Sequence, residues 1–297
     1  NKEMKLSKSF IGLVTVSTIF MLYASGLYKN LQSDSALEIV DFSIAKPASE
    51  KNIPSNPDRV PLYGDLHVHT KYSFDAYIFG VTATPYDAYK YAIGEAIKHP
   101  LGFDMKLKEP LDFYAVTDHG FYMGMIENYA DTSSKMSKNE WTMPMHNLNR
   151  PENVTVESLG ARADLFSSVL TQAIIKPYPY WHPKVWKAWL TNNIQVALQS
   201  FDYDVHKSAW ADVANAAEEF NDPGKFTTFI GYEFTTSTDV EGGNLHRNVI
   251  FNSSDAPIRP WTRIDSINPE DLWTWMDGLR DQGLDSLAMP HNSNGSN

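Results

Sequence analysis

Leu62–Ser73 reads LYGDLHVHTKYS. Successive side chains of a β-strand point to opposite faces, so His67 and His69 project from one face together with Asp65. Leu66 and Val68 project from the other face, into a core. Two imidazoles converging at the end of a short apolar strand supply half of a metal site. The competing reading of the same residues is a pair of histidines on a half-exposed strand.

Downstream, strand after strand runs into a histidine or a carboxylate. Thr84-Pro85-Tyr86-Asp87 opens a helix, with Thr84 as N-cap, Pro85 at the first position and Asp87 completing a capping box; Gly94 weakens the helix and His99-Pro100-Leu101-Gly102 ends it. Leu111–Thr117 is a second strand and delivers Asp118-His119-Gly120. For Asp118 a turn-capping role competes with a chemical one. A helix is expected over Thr155–Ile175. Tyr178, Tyr180, Trp181, Trp186 and Trp189 read as the packing of an inserted helical layer rather than as a substrate pocket, since aromatic rings mostly supply core area. Ser208–Phe220 reads as an amphipathic helix with Trp210, Val213, Ala217 and Phe220 on one stripe. Phe226–Tyr232 is a third strand ending at Glu233, and Asn244–Phe251 a fourth carrying His246. Asn268-Pro269-Glu270-Asp271 caps a helix through Met276, with Trp273 and Met276 inward. Ser286–Met289 is a fifth strand leading to Pro290-His291-Asn292. His99, His146, His182 and His206 lack partners at diagnostic spacing and read as surface or structural. This order of strands and polar ends fits a polynuclear metal centre at the C-terminal mouth of a parallel α/β barrel.

Composition sets the outer bounds. The 297 residues suffice for one large α/β domain or two small ones. A formal net charge of -11 argues against a general binder of the phosphate backbone, so no nucleic acid is expected as a partner. The chain has no cysteine, which leaves nitrogen and oxygen as the available metal donors. At the N-terminus Lys2, Lys5 and Lys8 precede the apolar run Phe10–Ala24, with small residues at Ala24-Ser25-Gly26. That is the layout of a secretory signal peptide, or of an uncleaved anchor. Either makes the protein exported, periplasmic or extracellular, with membrane contact only through an uncleaved segment. The expected organisation is a signal peptide or anchor over 1–28, a polar proline-containing linker over 29–61, and a catalytic domain over 62–297 with an insert at 121–207.

HVHT with the later Asp75, TDH at Thr117–His119, the Glu of GYE, the His of NLHRN and the final PHN occur in an order that resembles the PHP superfamily, named for polymerase-associated and histidinol-phosphatase domains. The segments GDLHVHTKYSFDAYIFG, PLDFYAVTDH, PGKFTTFIGYE, NLHRNVIF, PEDLW and PHNSNGSN resemble more closely a secreted branch catalogued as domain of unknown function 3604. The resemblance covers Leu62 to Asn297 apart from the insert. It implies a distorted, TIM-like (β/α)7 barrel holding two or three divalent metals, Zn, Mn or Fe. Carried over residue by residue, it implies His67 and His69 as ligands of a first metal and Glu233 as a bridge to a second. His246 and His291 would hold the second, and Asp75 and His119 a third. The family's late Asp-x-His motif has no counterpart before Asn297, and five of the seven strands are visible. The chain therefore reads as a fragment of a longer protein, and the segment alone is expected to be poorly stable, to bind metal weakly and to be inactive.

The expected activity is metal-dependent hydrolysis, foremost of a small phosphoester. Paired divalent ions clamp phosphoryl oxygens and lower the pKa of a bridging water enough to give hydroxide at neutral pH. Asp118 and His119 would order the ligands, and Arg247, beside His246, is the candidate cation for the substrate phosphate. Amide or ester hydrolysis at the same site, and an exported metal-binding module without turnover, are the alternatives.

Overall fold

The computed structural model describes residues 36–44, 58–172, 201–237, 244–266 and 268–292. The expected signal peptide or anchor, the aromatic segment from Tyr178 to Trp189, His182 and most of the expected linker lie outside them. Among the described residues no helix is long and apolar enough to cross a membrane. In chain order the elements are β1 (Ile39–Asp41), β2 (Gly64–Val68), α1 (Phe74–Ile78), α2 (Pro85–Ala92), β3 (Ile97–Lys98), β4 (Asp104–Met105), β5 (Phe113–Val116), α3 (Met125–Ala130), α4 (Leu159–Gln172), α5 (Tyr203–Phe220), β6 (Thr227–Thr228), β7 (Gly231–Ser237), β8 (Asn244–Phe251), β9 (Asp255–Pro257), α6 (Pro269–Arg280) and β10 (Ser286–Pro290).

β2 pairs in parallel with β5, and β5 with β6. The parallel run continues past the end of β5, where the Glu233 amide donates to the Asp118 carbonyl at 2.9 Å and the Gly120 amide to the Glu233 carbonyl at 2.8 Å. β7 then pairs antiparallel with β8, and β8 antiparallel with β10. The expectation of uniformly parallel strands therefore fails at β8. Six residues, 238–243, separate β7 from β8. A parallel return needs a crossover of about a dozen residues or more, whereas an antiparallel one needs only a turn. The reversal has a functional consequence. β2, β5, β7 and β10 all point their C-terminal ends at one mouth, and β8 begins there. Among the described residues β2 pairs only with β5 and β10 only with β8, so each keeps one unpaired edge.

The helices follow their local signals. Thr84 caps α2 with a complete capping box to Asp87, as read. α5 starts five residues earlier than expected because the Asp202 carboxylate accepts from the amides of Asp204 and Val205. α4 begins at Leu159, after a 3-10 turn at Val156–Ser158. α6 buries Leu272, Trp275, Met276 and Leu279 and leaves Trp273 exposed, so its inner face is rotated from the one expected. The main core joins Tyr89 of α2, Tyr114 of β5, Trp210 and Val213 of α5, Tyr232 of β7 and Trp275 of α6. A second cluster, built on Phe74, Phe121, Met125 and Tyr129, supports the insert. Part of the expected linker is integrated: β1 pairs antiparallel with β9, and the Trp275 indole donates to the Ala36 carbonyl at 2.8 Å.

Candidate metal centre

Glu233 lies third along β7 and is fully buried. Alternation sends Glu233 and Thr235 to the same side of the strand. Glu233 Oε2 sits 2.8 Å from His69 Nε2 and 3.3 Å from His67 Nε2. Its Oε1 sits 3.2 Å from His291 Nε2 and 3.6 Å from His119 Nδ1, and it also contacts His246 Nδ1. The strands explain the convergence. His67 and His69 end β2, His119 follows β5, and His291 follows β10. His246, opposite Thr235 in the register, enters from the start of β8. Were β8 parallel, His246 would stand near the wrong end of its strand.

Asp75, in the first turn of α1, holds the other side. Its carboxylate lies 3.1 Å from His69 Nδ1 and 3.6 Å from His119 Nε2. The donors fall into three groups whose ligand atoms lie within 4.8 Å of one another: His67, Glu233 and His291; His69, Asp75 and His119; and His119, Glu233 and His246. All seven expected ligands are thus brought together. Their grouping differs from the expected one, because His67 sits with His291 rather than with His69. His119 and Glu233 each belong to two groups.

The electrostatics suit cation binding. Burial alone would favour protonated carboxyls on Asp75 and Glu233. The surrounding imidazoles outweigh it, and both are held ionised, far below the usual carboxylate range. Burial pushes His119 down, toward the neutral ring that ligates metal. Burial also opposes charge on His69, but hydrogen bonds to Asp75 and Glu233 prevail and raise it to about 10. Among the described residues Nδ1 of His291 is buried without a partner. A converging set of imidazole nitrogens and ionised carboxylate oxygens fits divalent Zn, Mn or Fe, which would displace the proton that His69 otherwise holds.

Asp118 belongs to none of the donor groups. It is fully buried, and its carboxylate accepts from the Thr70 amide at 2.5 Å and the Thr70 hydroxyl at 2.7 Å. It thereby pins the turn after His69, and burial, partly offset by His69 and Thr70, raises its pKa to about 6. Asp65 turns back to accept from the His67 amide at 2.9 Å and stays out of the centre. Arg247 also points away: its guanidinium stacks 4.8 Å from the Trp273 ring, on the opposite face of β8 from His246. This is the side that the alternation of a regular strand gives it. His146 bonds the Ser137 carbonyl, His99 accepts from the Leu101 amide, and His206 is on the buried face of α5, all in structural settings.

Two supporting side chains were missed from the sequence. The Thr235 hydroxyl meets His119 Nδ1 at 2.5 Å. The Ser73 hydroxyl donates to Asp75 at 2.5 Å, lies 3.2 Å from His69 Nδ1 and accepts from the His119 amide at 3.2 Å. Their positions two residues from Glu233 and Asp75 were the available signal.

The structure so far defines an α/β protein with a histidine and carboxylate constellation at one mouth of its sheet. The chain belongs to the family described as Protein of unknown function (DUF3604), whose model matches residues 56–297. No curated protein and no solved structure matches the chain.

Proposed function

We propose that this chain carries the centre of a metal-dependent hydrolase of the PHP type, acting on a small phosphoester. The observation that carries the reading is the meeting of His67, His69, His119, His246 and His291 around the buried carboxylate of Glu233. Such a carboxylate surrounded by imidazoles is costly as a purely structural device, because buried charges need compensation. With Asp75, these residues would hold two or three divalent ions. Ions bound there would polarise a phosphoryl oxygen and activate a water at neutral pH.

The chain's own residues divide the remaining work. Glu233 and His119, each shared by two donor groups, tie neighbouring positions together. Asp118 and Thr70 fix the turn that aims His69, and Thr235 and Ser73 orient His119, His69 and Asp75. No side-chain nucleophile is required. The lysine-flanked apolar run Phe10–Ala24 supports export of the protein.

The test is turnover of the metal-loaded, full-length protein on a panel of phosphomonoesters, phosphodiesters and carboxyl esters. Phosphoester hydrolysis that is lost in Glu233→Gln and His67→Ala is expected. Metal binding without turnover, or turnover of carboxyl esters alone, would overturn the reading.

A further inference from the structure

Three arginines are nearly buried, and two of them are held by hydrogen bonds or an ion pair. Arg162 is 3% exposed and donates to the carbonyls of Ile78, Leu148 and Asn153 and to the side chains of Asn149 and Ser158. Arg259 is 2% exposed and forms a two-pronged pair with Asp265 at 2.9 and 2.8 Å. The third, Arg263, is 5% exposed, and among the described residues its guanidinium has no hydrogen bond and no carboxylate. It rests on the ring of Phe121, 4.8 Å from the centroid. Burial pulls its pKa down to about 10, so it is still a cation at neutral pH. The nitrogens of Arg263 are not fully enclosed, so the guanidinium tip reaches solvent with donors free for an incoming anion.

The place of Arg263 indicates what that anion is. Phe121 packs on the metal centre as well, its ring 5.8 Å from that of His119. The loop bearing Arg263 is held rigidly against this region. The Thr262 amide donates to Asp265, the Tyr232 hydroxyl donates to the Trp261 carbonyl, and a Cβ added at Gly120 would lie 3.1 Å from the Thr262 methyl. The guanidinium and His119 thus both neighbour the ring of Phe121.

We infer that Arg263, not Arg247, is the anion-recognition residue of this site and binds an oxyanion group of the substrate. This rests on the hydrolase reading for its substrate, but not for the binding itself. The planar fork of a guanidinium matches a phosphate, sulfate or carboxylate with paired hydrogen bonds. The ring of Phe121 holds it in position without consuming a donor. A substrate carrying an anionic group about one ring-width from the reacting bond is the class that fits.

The experiment compares full-length, metal-loaded wild type with Arg263→Met and Arg263→Lys, using inorganic phosphate, sulfate and acetate as probes in calorimetry and thermal melting. Arg263→Met should weaken the preferred oxyanion at least tenfold, with Arg263→Lys between, while bound metal is unchanged. Preference for phosphate and sulfate over acetate assigns a tetrahedral group, and the reverse a carboxylate. Without added anion Arg263→Met should melt close to wild type, since the methionine side chain keeps the packing on Phe121. Equal affinity in wild type and Arg263→Met would overturn the inference, as would no binding of any probe by wild type. A drop in anion-free melting with affinity intact would also overturn it, leaving only a packing role on Phe121. A chain without metal or turnover would sink the hydrolase reading instead, and the anion binding is scored independently of both.

Discussion

At the centre of the molecule Glu233 does work that its neighbours cannot share, because both of its oxygens are engaged with imidazoles. Glu233→Gln keeps the shape and removes the charge, so metal affinity should fall by a hundredfold or more, measured by competition with a chromophoric chelator. Thr235→Val removes the hydroxyl against His119 and should cost about 10–100-fold in metal affinity or turnover, as loss of such an orienting partner typically does. His206 makes a prediction about pH. Burial first, then the charge of Arg259, lowers its pKa from 6.5 to about 3. The unfolded chain takes up this proton before the folded one does. Stability is therefore complete above about pH 6.5 and falls as pH drops toward 3, by about 1.4 kcal/mol per unit from this group. His206→Gln should flatten that slope in denaturation curves measured across the range; an unchanged slope would remove the assignment.

Elements were legible where the signal was local. The Thr84 capping box was written in four residues, and Thr84→Ala should cost about 1 kcal/mol by chemical denaturation. Of the seven converging donors, His67, His69, His119, Glu233 and His291 were legible because they sit at or just beyond the end of an apolar strand, whereas Asp75 and His246 rested on the family resemblance. The direction of β8 was misread although the six residues between Ser237 and Asn244 contained the answer. The inner face of α6 was misjudged because Trp273 and Trp275 are equally apolar, and only the position of Ala36, distant in sequence, selects Trp275. Arg263 was invisible for a similar reason: whether a cation is paired is a tertiary fact. Its loop depends on Arg259 and Asp265, which are both nearly buried. Asp265→Asn leaves a buried guanidinium without its counter-charge and should cost about 3–5 kcal/mol.

On the scale of the whole molecule, the cluster around Glu233 is where distant parts of the chain meet. His67 and His291 approach through Glu233, and β2 and β10, which carry them, stand at opposite ends of the strand order. Bound ions would therefore tie the two ends of the sheet together. Any ligand that binds only the folded state adds stability in proportion to its saturation, so removing metal with a chelator should lower the melting temperature of wild type and leave that of Glu233→Gln nearly unmoved. The most direct test of the central claim is the metal content of the purified full-length protein, measured by mass spectrometry against protein concentration. Two or three ions of Zn, Mn or Fe per chain, falling sharply in Glu233→Gln, is the predicted result. A folded protein that retains less than one ion per chain after exposure to all three metals would contradict it.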